Sequence, residues 1–180
     1  QGLMAPHADD AELLLGGMYL SFGQHARAAA VFERLLVRES TPPPVRDRAW
    51  FHLGRVLYAR GYFEESERAL RRAGGTLPPA EDAERRLLLG PGLMYRGRHD
   101  AAVAGLSGWQ GPPAWTAYGR FNLGVALVRA GRLEQGLGLL GEVGTMQAGG
   151  EELKALRDKA NVAIGYALLQ SGQAQPARAA

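Results

Sequence analysis

The chain contains no cysteine, which excludes disulfides, thiolate metal sites and a cysteine nucleophile. It has almost no lysine: among 21 basic residues only Lys154 and Lys159 are lysines, and the rest are arginines. Eighteen acidic residues hold the formal net charge to +3. No run of Lys and Arg is dense enough to follow a nucleic-acid backbone, so nucleic-acid binding is not expected. Also missing is an uninterrupted apolar stretch of about 18 residues, the length a bilayer-spanning helix needs. Membrane insertion is therefore not expected either. The start, "QGLMA", lacks the basic and apolar regions of a signal peptide. It reads as the beginning of a mature form or of a fragment, while the end, "SGQAQPARAA", reads as a helix cut short. The missing cysteine and this start weakly favour a periplasmic or exported setting over a cytoplasmic one.

What the chain does have is apolar content and self-similarity. With 180 residues, 46% of them hydrophobic, it is long enough to bury a sizeable core. Five segments share one pattern: "LLLGGMYLSFGQHARAAAVF", "FHLGRVLYARGYFEESERAL", "LLLGPGLMYRGRHDAAVAGL", "FNLGVALVRAGRLEQGLGLL" and "VAIGYALLQSGQAQPARAA". In each, an apolar residue precedes a glycine (Gly16, Gly54, Gly90, Gly124, Gly165), and a second glycine follows seven residues later (Gly23, Gly61, Gly97, Gly131, Gly172). Successive copies begin 34 to 41 residues apart. Such a period is the signature of a repeat architecture.

Between the two glycines the apolar residues fall at helical spacing, as with Leu53, Val56 and Leu57, and define one face of an amphipathic helix. The second glycine stands where that helix must end in a left-handed residue. After it a small and a large residue recur four apart: Ala28 and Phe32, Ser66 and Leu70, Ala102 and Leu106, Gly136 and Leu140. The pattern predicts a second helix lying close against the first, with the earlier glycine serving the same approach at a propensity cost of about 1 kcal/mol. Pro- and Gly-rich linkers, "STPPPVRD", "GGTLPPAEDA", "SGWQGPPAW" and "TMQAGGEEL", separate the pairs. Ten helices result if a truncated last one is counted. Pro91 falls inside the first helix of the third copy and is expected to kink or interrupt it.

With apolar-Gly, an apolar or aromatic residue three later (Tyr19, Leu57, Leu93, Leu127, Leu168) and Gly at the turn, the chain resembles the tetratricopeptide repeat over about residues 9 to 180. The resemblance implies an all-α fold: an α-solenoid of about five TPR-like helix-turn-helix repeats, wound as a right-handed superhelical array. Residues 1–180 form a single array on this reading, with repeats at about 9–41, 45–78, 80–111, 114–146 and 150–180. Its inner surface comes mainly from the first helices. The groove positions carried onto this sequence are Arg48, Phe51, Arg55, Tyr58, Met94, Tyr95, Tyr118, Phe121, Arg129, Lys159 and Tyr166, an aromatic and basic set of the kind enriched at binding hot spots. The family's grip on a C-terminal carboxylate uses Lys and Asn at positions that are Leu13 and Gly17 here, so that clamp is not expected.

One stretch points elsewhere. "PHADDAE", at residues 6–12, resembles the metal-binding motif of the zinc-dependent N-acetylglucosamine deacetylases, which would make His7 and Asp10 zinc ligands and Asp9 a base. A catalytic zinc takes three protein ligands and an open position. The further ligand in that family comes from a His-x-x-His pattern, and the remaining histidines here, His25, His52 and His99, are isolated. Asp9, Asp10 and Glu12 are expected instead to cap and charge the start of the first helix. His25 and His99 read as helix-start residues, and His52 as structural or partner-contacting. No nucleophile elbow or phosphate loop occurs. We therefore expect no catalytic residues, no metal and no cofactor.

The resulting expectation is a non-enzymatic protein-protein interaction scaffold of bacterial type. It would bind a protein or peptide segment of some acidic character in its concave groove. The alternatives are the deacetylase-like enzyme and a purely architectural repeat that assembles with itself.

Overall fold

A computed structural model describes residues 5–147 and 149–172. Among these, nine α-helices and a short 3-10 turn occur and no strand. They are α1 (Ala5–Ser21), α2 (His25–Val37), α3 (Pro43–Ala59), α4 (Phe63–Arg72), α5 (Pro79–Tyr95), α6 (His99–Leu106), α7 (Thr116–Arg129), α8 (Leu133–Gly144) and α9 (Glu151–Gln170), with the 3-10 turn at Pro113–Trp115. The expected tenth helix lies outside the described residues. Two compact units divide the chain, Gln1–Tyr95 with α1 to α5 and Arg96–Ala180 with α6 to α9. The division falls inside the third sequence repeat.

The repeat glycines do what their spacing predicts. Gly23, Gly61, Gly97, Gly131 and Gly172 all have positive φ, between 69° and 85°, a conformation that a Cβ disfavours. At Gly61 the chain closes a Schellman turn: the Tyr62 N–H donates to the Leu57 carbonyl at 2.9 Å, and the Gly61 N–H to Tyr58 at 2.9 Å. The same pair of bonds recurs from Gln24 to Tyr19 and Gly23 to Leu20, and from Arg132 to Leu127 and Gly131 to Val128. Last-turn carbonyls are thus satisfied and the next helix is sent back alongside.

In three of the pairs the first glycine accepts a large side chain from the returning helix. A Cβ on Gly16 would lie 2.5 Å from the Phe32 ring, one on Gly54 would overlap Leu70, and one on Gly124 would lie 2.9 Å from Leu140. Phe32, Leu70 and Leu140 are almost wholly buried there. The small residue four positions earlier completes the approach. The Ser66 hydroxyl donates to the Gly54 carbonyl at 2.8 Å, and a Cβ on Gly136 would meet the Gly124 carbonyl at 2.8 Å. Each unit then builds its own core. Phe32, Leu35, Ala49, Leu53 and Val56 anchor the first, and Leu140, Val143, Leu156 and Ala160 the second. Within the units the first helices also meet each other, α1 with α3, α3 with α5, and α7 with α9.

Two local expectations are corrected. Helix α1 is already formed at Ala5 and has no acidic residue in its first turn, so Asp9, Asp10 and Glu12 lie too far along to cap it. Asp9 and Glu12 instead hold the Arg38 guanidinium, at 3.4 and 2.8 Å, and tie α1 to the end of α2. Helix α5 runs from Pro79 to Tyr95 with Pro91 inside it, so the proline does not interrupt the helix. The next residue, Gly92, is buried against α4, where a Cβ would meet the Phe63 carbonyl at 2.6 Å and the Glu67 Cβ at 2.7 Å.

Polar side chains fasten the linkers. Arg46 donates to the carbonyls of Leu36 at 3.2 Å and Arg38 at 2.8 Å, and the Thr41 hydroxyl to Leu35 at 2.6 Å, all at the end of α2. The Asp47 carboxylate accepts from the Gly74 and Thr76 amides at 2.9 and 3.2 Å. This carboxylate secures the α4–α5 linker to α3.

Two glycines of α8 separate close approach from helix propensity. Gly136 faces α7 backbone, whereas nothing lies within 4 Å of a Cβ on exposed Gly138. Gly136→Ala is expected to lose about 1–3 kcal/mol through overpacking, and Gly138→Ala to gain about 0.5–1 kcal/mol from propensity. Urea denaturation of the two variants beside the parent chain checks both signs.

Candidate partner-binding groove

In the first unit, α3 and α5 place six of the eleven expected groove residues. Two of the six are not available to a ligand. Phe51 is 1% exposed and packs with Leu70 and Ala73, and Met94 is also buried. Helical spacing puts both on first helices, but their side chains point into the interior, so their contribution is to the core. Arg48 and Arg55 do line a concavity of about 720 Å³ with Leu14, Met18, Phe22 and His52. Both arginines are already engaged. Arg48 binds Glu81 at 2.9 Å and Arg55 binds Glu84 at 2.9 Å, each carboxylate coming from α5. Tyr58 is half-buried and edge-on to Phe63, with ring centroids 5.2 Å apart. Tyr95 is exposed.

Glu81 and Glu84 stand outside the repeat signature. Their spacing of three places them on one face of α5, but only the packing of α5 on α3 shows that this face meets the arginines. The Glu84 carboxyl is held above the usual carboxylate range, because burial outweighs the Arg55 guanidinium beside it. His52 lies beneath the same arginines, stacked on Phe32 at 5.3 Å and tilted against Phe51 at 5.2 Å. Burial, reinforced by Arg55 and Arg48, lowers its pKa to about 3. The ring is therefore neutral at pH 7 and serves as a packing aromatic, in keeping with the structural role read from its position.

The second unit arranges its share differently. Phe121, Arg129, Lys159 and Tyr166 all line one groove of about 600 Å³ between α7 and α9, with Leu140 of α8 among its apolar walls. Phe121, Val125 and Val128 form an i, i+4, i+7 stripe on α7, and Val162 and Tyr166 stand exposed on α9. Asp158 is the one acidic lining residue. Neither Arg129 nor Lys159 is in an ion pair among the described residues. Tyr118, near the start of α7, opens onto a separate hollow. Chemically, this groove offers an apolar wall, an exposed phenol and two cations.

Paired helices, each closed by a left-handed glycine and stacked so that first helix meets first helix, define an all-α helical repeat of the solenoid class. The tetratricopeptide repeat family model matches residues 3–43 and 13–81, which identifies tetratricopeptide repeats in the first unit of the chain. Solved structures of that fold agree with it over nearly its whole length. YrrB, a TPR protein with an unusual peptide-binding site, is 18% identical with a TM-score of 0.68, the match covering 97% of this chain and 84% of YrrB. MamA of AMB-1 is 19% identical with a TM-score of 0.65, over 96% of this chain and 87% of MamA. MamA of MSR-1 is 21% identical with a TM-score of 0.66, over 94% and 90%. No curated protein matches the chain significantly.

The buried neutral His52 sets a pH dependence whose sign follows from its lowered pKa. An unfolded chain binds a proton at His52 near pH 6.5 while the native chain binds it only near pH 3. Stability from this group is therefore complete above pH 6.5 and falls as pH drops toward 3. Between pH 6.5 and 5 the parent chain is expected to lose about 1.5 kcal/mol more than His52→Phe, which keeps an aromatic ring and removes the titration. Paired chemical denaturation series across that interval measure the difference.

Proposed function

We propose that the chain is a non-enzymatic interaction scaffold that receives a partner segment in the α7–α9 groove. The observation that carries this reading is the pairing of an apolar groove with Arg129 and Lys159, two cations without an ion-pair partner among the described residues. Apolar and aromatic walls provide contact area, and opposite charge on a ligand provides orientation and specificity. The matching ligand is a protein or peptide segment with apolar residues and at least one carboxylate. In the first unit the equivalent arginines are neutralised from within by Glu81 and Glu84, which makes that concavity the weaker candidate for an acidic ligand.

The deacetylase resemblance gains no support. Asp9 and Asp10 lie on a continuous helix, Asp9 is engaged with Arg38, and the His7 side chain lies outside the described residues. Peptide binding by YrrB is a property of a protein with the same fold and is consistent with the proposed role.

Selection from a displayed library of random peptides on the immobilised chain tests the proposal. Enriched peptides are expected to combine apolar residues with an acidic one. Lys159→Glu and Tyr166→Ala should each weaken their binding about tenfold, a loss of about 1.4 kcal/mol, with unchanged far-ultraviolet circular dichroism. Failure to enrich any peptide, or binding indifferent to both substitutions, contradicts the assignment.

A further inference from the structure

The same two helices carry a second hollow nearer their beginnings, of about 510 Å³. Ala117 of α7 and Leu153 and Leu156 of α9 give it apolar walls, and half-exposed Tyr118 opens onto it. Its charged lining is Glu151 and Glu152, without a basic side chain. The groove toward the helix ends has the opposite balance, Arg129 and Lys159 against Asp158.

Helix geometry sets these charges in line. Glu152, Lys159 and Tyr166 are spaced seven apart on α9. Seven residues fall about 20° short of two full turns, so the three side chains leave the helix in nearly the same direction. All three are exposed. Tyr118 and Val125, also seven apart on α7, line the second hollow and the first groove respectively. One face of the seam therefore runs from acid to base to aromatic ring. From Glu152 to Lys159 the rise along the axis is about 10 Å, which an extended chain covers in about three residues at about 3.3 Å each.

We infer that the α7–α9 seam recognises a charge-polarised, extended segment. A basic residue of the segment faces Glu152, and an acidic residue about three to four positions away faces Lys159. Apolar residues lie between and beyond the two, with the last contact on Tyr166. This rests on the reading of the α7–α9 groove as the binding site and adds the charge pattern of its ligand. A segment with acidic residues alone would satisfy Lys159 and Arg129 but set like charge against Glu152. A segment with one charge of each sign is complementary over the whole seam.

Sequencing the peptides selected on the parent chain and on two variants tests the pattern. The parent is expected to enrich peptides carrying one basic and one acidic residue about three to four apart. Glu152→Gln should weaken those peptides about threefold to fivefold, the range of an exposed pair, and leave peptides without a basic residue unaffected. Glu152→Lys should redirect selection toward peptides with two acidic residues. Circular dichroism of Glu152→Gln controls for the favourable place of this carboxylate in the first turn of α9. Acidic peptides with no basic residue, equally tight on parent and Glu152→Gln, overturn the polarised pattern while leaving the groove assignment intact. Peptides insensitive to Lys159→Glu overturn both. A concentration-dependent dimer in light scattering that Lys159→Glu dissolves assigns the seam to a second copy of the chain and also overturns the proposal.

Discussion

The seating of one large side chain on a bare glycine backbone is the contact on which the rest of this structure depends. Phe32 on Gly16, Leu70 on Gly54 and Leu140 on Gly124 stand sixteen residues apart in every case. That interval is set by the turn glycine, which fixes where the second helix begins, and by the small residue that lets it come near. Once the second helix is pressed so closely onto the first, its large side chain is buried and the two helices behave as one element. Successive first helices are then left to meet each other, α1 with α3, α3 with α5, and α7 with α9. The concavities lined by Arg48 and by Lys159 both open between such neighbours. A groove is thus a consequence of the helix-pair packing and needs no separate device.

What differs between the two units is how the charge on this surface is balanced. Cations placed beside apolar walls are costly unless paired. In the first unit α5 supplies the partners, with Glu81 on Arg48 and Glu84 on Arg55, and the buried His52 beneath them stays neutral. In the second, Arg129 and Lys159 remain at the rim of an apolar groove with Asp158 nearby. One repeat pattern therefore yields a face whose cations are paired internally and another whose cations have no ion-pair partner among the described residues. Residues outside the repeat signature decide which is which.

Those are also the residues that the sequence made hardest to read. Turn glycines, the small and large residues after them, and the helix pairs themselves were legible, because each depends on spacing within one repeat. Interior and exterior on the first helices were less so. Phe51 and Met94 carry the right residue types at the right repeat positions, yet both are buried, Phe51 against Leu70 and Ala73, a matter of packing between distant segments. Asp9 has the residue type that caps and charges a helix start; the helix in fact begins earlier and Arg38, 29 positions along the chain, is the partner. Pro91 sits inside α5 without ending it. Phe121, Arg129, Lys159 and Tyr166 are expected at groove positions from the sequence and line one groove, but that they share it follows from the meeting of α7 with α9.

The central claim is that ligand binding belongs to the α7–α9 groove and not to the charge-balanced concavity between α1 and α3. Backbone amide chemical shifts, followed by nuclear magnetic resonance while the whole isotopically labelled chain is titrated with a selected peptide, test it most directly. The account predicts the largest changes at Phe121, Arg129, Lys159, Val162 and Tyr166, with Arg48 and Arg55 unmoved. Changes concentrated at Met18, Phe22, Arg48 and Arg55, with α9 silent, would contradict it.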